Sequence, residues 1–245
     1  METRFFYTTL AKYYDQIYHK VAYKKQARFF VQLMKRFKTS PNNTILDAAC
    51  GTGTHADILQ QSGFTVTAFD SSKEMLREAK KKNKKVTFFL ASMKKFHTRE
   101  RFGTIICFFN SILYNKDAQE LHQTLSNFFH HLEDGGMLIF DAVDKSIGIN
   151  SKKEQGYSYT DASTHITFKP RWIYSRGEKH MDLVIEFLVN GVSLHDHHVM
   201  GAFTIREIEA AAKNADFKVL VLQRNFDHIQ KYSSANKKAI FICTK

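Results

Sequence analysis

Residues 44–59 read TILDAACGTGTHADIL. β-Branched and apolar residues run into a turn punctuated by Gly51 and Gly53, and an amphipathic stretch follows. That is the pattern of a strand, a tight turn and a helix. Turns of this kind hold nucleotides, because glycine lets the backbone approach closely and a helix N-terminus donates to the ligand. Asp47, at the strand end, does not suit a pyrophosphate, which its carboxylate would repel. It asks for a ligand that carries positive charge beside its nucleoside.

Outward from this turn, short apolar runs alternate with longer amphipathic segments: FTVTAFD, a helix, KVTFFLA, a short connection, GTIICFF, a helix, and GGMLIFDAV. The rhythm predicts an α/β fold with a parallel sheet and right-handed crossovers. Ahead of it, helical spacing over residues 11–37 predicts two leading helices, closed by TSPNN. After Asp144 the segments become strand-rich, as in STHITFKPRWIY, MDLVIEFLV and HDHHVMGAF, with turns at SRGEK and NGVS. An antiparallel insertion is expected there. The α/β pattern returns at TIREIEAAAKNADF, with Thr204 as N-cap and Glu207 three residues on, and ends in strands KVLVLQR and KAIFICT. The expected organisation is a helical cap over residues 1–40, a core formed by 41–145 and 202–245, and an antiparallel insertion over 146–201. A chain of 245 residues with 43% hydrophobic content can bury such a core.

Composition narrows the function classes. Cys50, Cys107 and Cys243 are scattered without C-x-x-C spacing, so neither a disulfide framework nor a metal site is expected, and a reducing compartment fits. The first twenty residues lack a signal peptide's apolar stretch, and no membrane-spanning run follows; a cytoplasmic protein with no membrane partner is expected. Monomer and homodimer are both left open. The net charge of +12 attracts anions in general. Its densest run, REAKKKNKK at residues 77–85, reads as a solvated helix face with Met75, Leu76 and Ala79 inward. It has no aromatic residues for base stacking, which makes nucleic acid the lesser alternative.

A ligand with an ammonium, a sulfonium and a ribose reconciles the acid with the glycines: S-adenosylmethionine. Asp70 closes the next strand, where it could accept from both ribose hydroxyls. The combination LDAACGTGT with FDSSKEML resembles the nucleotide-binding signature of class I S-adenosylmethionine-dependent methyltransferases. RFGTIICFFNSILYN and HLEDGGMLIFDAV resemble that family's fourth and fifth strands, and LAKYYDQIY its N-terminal helix in small-molecule N-methyltransferases of the amino-sugar and glycine types.

The resemblance implies a Rossmann-like seven-stranded, mostly parallel sheet with helices on both faces. It implies that Asp47, Ala49 and Gly51 line the methionine end, that Gly53 belongs to the same cofactor-binding turn, that Asp70 holds the ribose flanked by Ser71 and Met75, and that Phe109, in the loop beside the methyl group, also binds the cofactor. Ala49 stands where many members have glycine. Ser92 stands where many have an acid for the adenine amino group, with Met93 against the ring.

Transfer from a sulfonium needs alignment and exclusion of water more than it needs reactive side chains. A base is required when the acceptor is a protonated amine. The candidates are Tyr14, which could also cover the cofactor, and His195 and His197 of HDHHV, which share one strand face while His198 points to the other. The expected function is methylation of a small-molecule acceptor, at an amine, with the insertion as wall or lid. RNA or protein methylation and a non-catalytic binding module are the alternatives. FFNSILYN has no N-P-P-[YF] tetrapeptide, which argues against planar amide or base-amine substrates.

Overall fold

The computed structural model describes residues 4–149, 156–161 and 163–245. The N-terminal segment is more broken than its helical spacing suggests: 3-10 turns at Phe5–Tyr7 and Ala11–Tyr13 lead into the four-residue helix α1, Tyr14–Ile17. Their aromatic side chains serve several partners, and the amides of Phe5 and Phe6 are bonded by Asp196. Only α2, Tyr23–Phe37, is a full helix; it buries Ala27, Phe29, Phe30, Leu33 and Met34 on one stripe.

The α/β part then runs β1 (Thr44–Ala48), α3 (Thr54–Gln61), β2 (Thr65–Asp70), α4 (Lys73–Lys82), β3 (Thr87–Leu90), β4 (Phe102–Cys107), α5 (Ala118–His131) and β5 (Leu132–Val143). Four more strands follow: β6 (Tyr157–Thr160), β7 (His165–Ile173), β8 (His180–Val189) and β9 (Val192–Gly201). The chain ends with α6 (Ile205–Asn214), β10 (Lys218–Gln223) and β11 (Lys238–Thr244). Thr204 and Glu207 form a complete capping box at the start of α6.

The large sheet has the order β10-β11-β5-β4-β1-β2-β3, with β11 antiparallel to both its neighbours, β10 and β5, and the remaining pairs parallel. The strand order reverses at β1, which lies between β4 and β2. In open α/β sheets the crevice at such a point, beyond the carboxyl ends of the strands, is where ligands bind. β5 shows how the sheet is buried on both faces: Leu138, Phe140 and Ala142 join a core with α5 and α6, while Met137 and Ile139 join one with α2 and α3.

β6 to β9 form a separate antiparallel sheet. Its apolar face does not pack on the large sheet alone. Ile166, Phe168, Ile185 and Phe187 pack with Phe6, Leu10 and Ile17 of the N-terminal segment, forming a third buried cluster. The two parts of the chain that the sequence separates by more than a hundred residues thus share one core.

Candidate functional site

A cavity of about 730 Å³ opens at the carboxyl ends of β1 to β4, under the N-terminal segment. Its floor is the turn after β1. Ala49, Gly51 and Gly53 have φ of 56°, 56° and 72°, and the turn is tied by Cys50 N to Phe69 O at 3.0 Å and Gly53 N to Cys50 O at 2.9 Å. A left-handed conformation costs an alanine roughly 1–2 kcal/mol. That cost at Ala49 is the physical content of the glycine seen there in the resembling family. A Cβ on Gly51 would meet open space, whereas one on Gly53 would lie 3.1 Å from Ala79 Cβ and from the Phe88 ring. Gly53 therefore seats α3 against α4 and β3, and it does not line the cavity.

Two acids face the turn. Asp47 is 4% exposed, and its Oδ2 has no hydrogen-bond partner. Burial, with Asp70 adding to it, pushes its carboxyl up to about 8, against a bond from the Ala56 amide. Asp70 is bonded on both oxygens: Oδ2 accepts from Gly51 N and Oδ1 from Ser72 N, each at 2.8 Å. Burial raises its pKa as well, opposed by those amides and by Ser71. Each oxygen keeps a second lone pair for a ligand hydroxyl.

On the far side, the loop after β4 holds Phe109 and Asn110 at φ of 60° and 58°. Non-glycine residues in this region are strained and persist where the surroundings over-determine them. Here Asp141 Oδ1 accepts from Asn110 N at 2.8 Å, and Arg224 Nη1 bridges Asp141 Oδ2 at 2.6 Å and Asn110 Oδ1 at 3.2 Å. Phe109 is thereby presented to the cavity.

The N-terminal segment is pinned over the site. Ser72 Oγ donates to Tyr7 O at 2.5 Å, and Asp15 accepts from Thr52 Oγ1 at 2.6 Å and pairs with Lys82 at 2.7 Å. Lys82 belongs to the basic run 77–85, so that run is not wholly a solvated face. The wall brings in Tyr7, Tyr14, Tyr23 and His55. Burial drives the His55 pKa down to about 3, which keeps the ring neutral, and Gln26 bonds its Nε2 at 2.8 Å. Burial, then Tyr18, raises the Tyr14 pKa well above the usual phenol value, so Tyr14 is a neutral wall and a poor base.

Of the residues singled out from the sequence, Tyr14, Asp47, Ala49, Gly51, Asp70, Ser71, Ser92, Met93 and Phe109 line this one cavity. Gly53 and Met75 stand behind it, Met75 being 1% exposed in the core and donating its amide to the Ser72 cap of α4. His195 and His197 are not brought to it. His195 is exposed beside Ser193, and His197 bonds Asp182 at 2.8 Å on the outer face of the small sheet. The inward face belongs to Asp196 and His198, both fully buried. Strand parity carried the signal, since these two share a face with Leu194 and Met200. Arg4, Tyr7 and His55 also line the cavity. No motif marks them, because the fold of the N-terminal segment and the pairing of α2 with α3 deliver them. Among the described residues no group of three or more His, Cys, Asp or Glu side chains is placed to hold a metal ion, and no helix is long and apolar enough to cross a membrane.

Residues 45–136 match the model of a methyltransferase domain. Over 106 residues the chain is 30% identical to the dTDP-3-amino-3,4,6-trideoxy-alpha-D-glucopyranose N,N-dimethyltransferase of Streptomyces venezuelae, covering 43% of this chain and 45% of that one. It is 26% identical over 154 residues to a glycine/sarcosine N-methyltransferase of Aphanothece halophytica, 60% of this chain and 57% of that one. The chain spans about half the length of the curated relatives it matches. The crystal structure of an S-adenosylmethionine-dependent methyltransferase from Clostridium acetobutylicum superposes with a TM-score of 0.80 at 21% identity, covering 97% of this chain and 98% of that one. Residues 45–136 are thus similar to a methyltransferase domain, and the chain as a whole has the Rossmann-like fold of solved S-adenosylmethionine-dependent methyltransferases.

Proposed function

We propose that the protein is an S-adenosylmethionine-dependent methyltransferase that methylates an amine of a small molecule. The observation that carries this reading is the unbonded, buried Oδ2 of Asp47 at the floor of the cavity. A buried carboxyl without a complete set of partners is costly and asks for a cation. The ammonium of the methionine moiety supplies one, and the open face of Gly51 leaves room for the chain that bears it. Asp70 takes the ribose hydroxyls through its remaining lone pairs. Ser92 and Met93 sit where the base lies, a hydroxyl and a polarizable thioether able to bond and pack on it. When bound, the cofactor supplies an activated methyl group on a cationic sulfur.

The chain's own contribution is position and dryness. Tyr14 and Phe109 close the site around the reacting centre, and the pinned N-terminal segment excludes water. Aromatic walls suit a cationic amine. The matched relatives named for amino-sugar and glycine/sarcosine N-methylation support an amine acceptor. Half-buried Cys50 and buried Cys107 and Cys243, all free thiols, fit a cytoplasmic setting.

The test is methyl transfer from labelled S-adenosylmethionine to amino-sugar nucleotides, glycine and sarcosine, with total RNA and protein as parallel acceptors. Labelling of an amine supports the reading, and labelling confined to RNA or protein overturns it. Two expectations accompany it. Asp70→Ala loses both ribose contacts and the tie to Gly51, and weakens calorimetric binding of S-adenosylhomocysteine by about 1.5–3 kcal/mol. An unchanged affinity places the ribose elsewhere. Raising salt from low to physiological strength lowers turnover on the amine by less than about tenfold, since no row of phosphates is bound. Neutralising Arg77, Lys80, Lys81 and Lys84 together is likewise tolerated, whereas Lys82, bonded to Asp15, is excepted.

A further inference from the structure

Behind the acceptor side of the cavity lies a buried chain of polar groups that holding the cofactor does not require. Tyr114, which lines the cavity, donates its hydroxyl to the Tyr7 hydroxyl at 3.0 Å, and the same oxygen lies 3.0 Å from His198 Nδ1. His198 Nε2 stands 3.4 Å from Asp196 Oδ2, and both side chains are fully buried. Asp196 is itself locked, each oxygen accepting a backbone amide, Phe5 N and Phe6 N, at 2.7 Å. His198 Nε2 has no completed hydrogen bond in this state. The two amides account for the carboxylate, but they give no reason to bury an imidazole beside it and against the Tyr114 hydroxyl, where an apolar side chain would cost less.

We propose that Tyr114, backed by His198 and Asp196, takes the proton that an acceptor ammonium must lose before its nitrogen can receive a methyl group. This rests on the methyltransferase reading above. The carboxylate of Asp196 favours the tautomer with the proton on Nε2, which leaves the Nδ1 lone pair facing the Tyr114 hydroxyl. The step balances. The acceptor N–H bond breaks with its electron pair staying on nitrogen, and the proton adds to Tyr114 Oη. The hydroxyl proton of Tyr114, turned from Tyr7 to His198, moves to Nδ1, and the imidazolium that results is held by Asp196. The 3.4 Å separation is open enough to shorten when the ring becomes cationic.

Burial raises the pKa of Tyr7 to about 12 and that of Tyr114 well above its usual value. Both stay phenols at neutral pH, so Tyr114 passes a proton and does not store one. The groups that face this chain are Arg4, whose guanidinium lies 5.4 Å over the Tyr114 ring, Tyr7, whose ring is 5.3 Å from the imidazole, and Asp196. Tyr18 and Asp70 act on the phenols through space, and Leu183 is the uncharged neighbour of His198 across β8 and β9. Arg4 opposes an imidazolium and Asp196 favours it; the carboxylate is the nearer. Tyr114 is the group that meets the substrate, and His198 and Asp196 act through it as positioning residues.

The test uses the full chain with sarcosine and a 3-amino-3-deoxyglucose nucleotide as amine probes, over pH 6 to 9.5. In Tyr114→Phe and His198→Asn, kcat at pH 7 falls about a hundredfold, the low end of what a positioned base contributes. The gap narrows by at least about tenfold toward pH 9.5, where more of the amine arrives already neutral. KM for S-adenosylmethionine and calorimetric binding of S-adenosylhomocysteine stay unchanged. A loss by the same factor at every pH, or no loss, overturns the relay. So does nitrogen NMR of the wild-type complex with S-adenosylhomocysteine that shows the His198 proton on Nδ1, a readout independent of which amine turns over. Failure of the wild type to bind S-adenosylhomocysteine overturns instead the reading of the site on which the relay rests.

Discussion

Asp47→Asn weakens binding of S-adenosylmethionine by about 2–3 kcal/mol, on the order of a hundredfold, because it removes the charge that meets the ammonium while keeping an oxygen in place. The same substitution makes the ligand-free protein more stable. The Asp47 carboxyl, pushed up to about 8, keeps its proton in the folded protein at pH values where an unfolded chain, with an ordinary aspartate value of 3.8, has released it. A raised carboxyl binds more protons folded than unfolded, so its contribution to stability is full below about pH 4 and falls as pH rises toward about 8. At 1.36 kcal/mol for each tenfold change in proton affinity the loss has a ceiling of roughly 6 kcal/mol. An asparagine amide left short of partners returns about 1–3 kcal/mol of that. The expected net gain is on the order of 3 kcal/mol at pH 8, absent at pH 4. Denaturant unfolding at both pH values checks it, and a variant less stable than wild type at pH 8 contradicts the assigned cost of the buried acid.

Phe187→Ala has the larger effect on stability. The Phe187 ring lies 5.3 Å from Phe6 and 5.5 Å from Phe168, in the cluster shared by the N-terminal segment and the small sheet. Truncating a buried phenylalanine costs about 3–5 kcal/mol through lost transfer energy and the cavity left behind. The variant should unfold at markedly lower denaturant, and the part that remains folded should bind S-adenosylhomocysteine more weakly, because the segment bearing Tyr7 and Tyr14 loses its support. Unfolding near the wild-type midpoint would mean that the third cluster carries little. For the same reason, exchanging the small sheet for a linker should disturb cofactor binding as well as transfer.

The large sheet was legible because its signals are local. TILDAACGTGT and FTVTAFD carry strand, turn and acid within a few residues each, and helix periodicity separates them. Asp47, Gly51 and Asp70 were therefore placed from pattern alone. Gly53 and Met75 belong to the motif without lining the cavity, and the tight contacts of a Cβ on Gly53 with Ala79 and Phe88 give that glycine a packing reason. The acceptor side was hard to read. Tyr7 meets Tyr114 and His198 only after the chain has folded back over more than a hundred residues, and no spacing rule encodes that meeting. Parity alone pairs His195 with His197 and sets His198 on the other face, without saying which face is inward. Leu194 and Met200 share the inward face with Asp196 and His198, and these two polar residues between them mask the apolar pattern. Within the helical spacing of residues 11–37, the stretch 11–17 is only a 3-10 turn and a four-residue helix, because the aromatic residues that give the spacing pack the cap instead.

Calorimetric titration of the wild-type chain at pH 7 with S-adenosylmethionine, S-adenosylhomocysteine, NAD and ATP, in two buffers of different ionisation heat, tests the central claim most directly. The two sulfur nucleosides should bind more tightly than NAD or ATP. Binding should release close to one proton, because the ammonium displaces the proton that Asp47 holds below about pH 8, and that release should vanish in Asp47→Asn. Tighter binding of NAD or ATP, or sulfur-nucleoside binding whose proton release is the same in wild type and variant, would contradict the account.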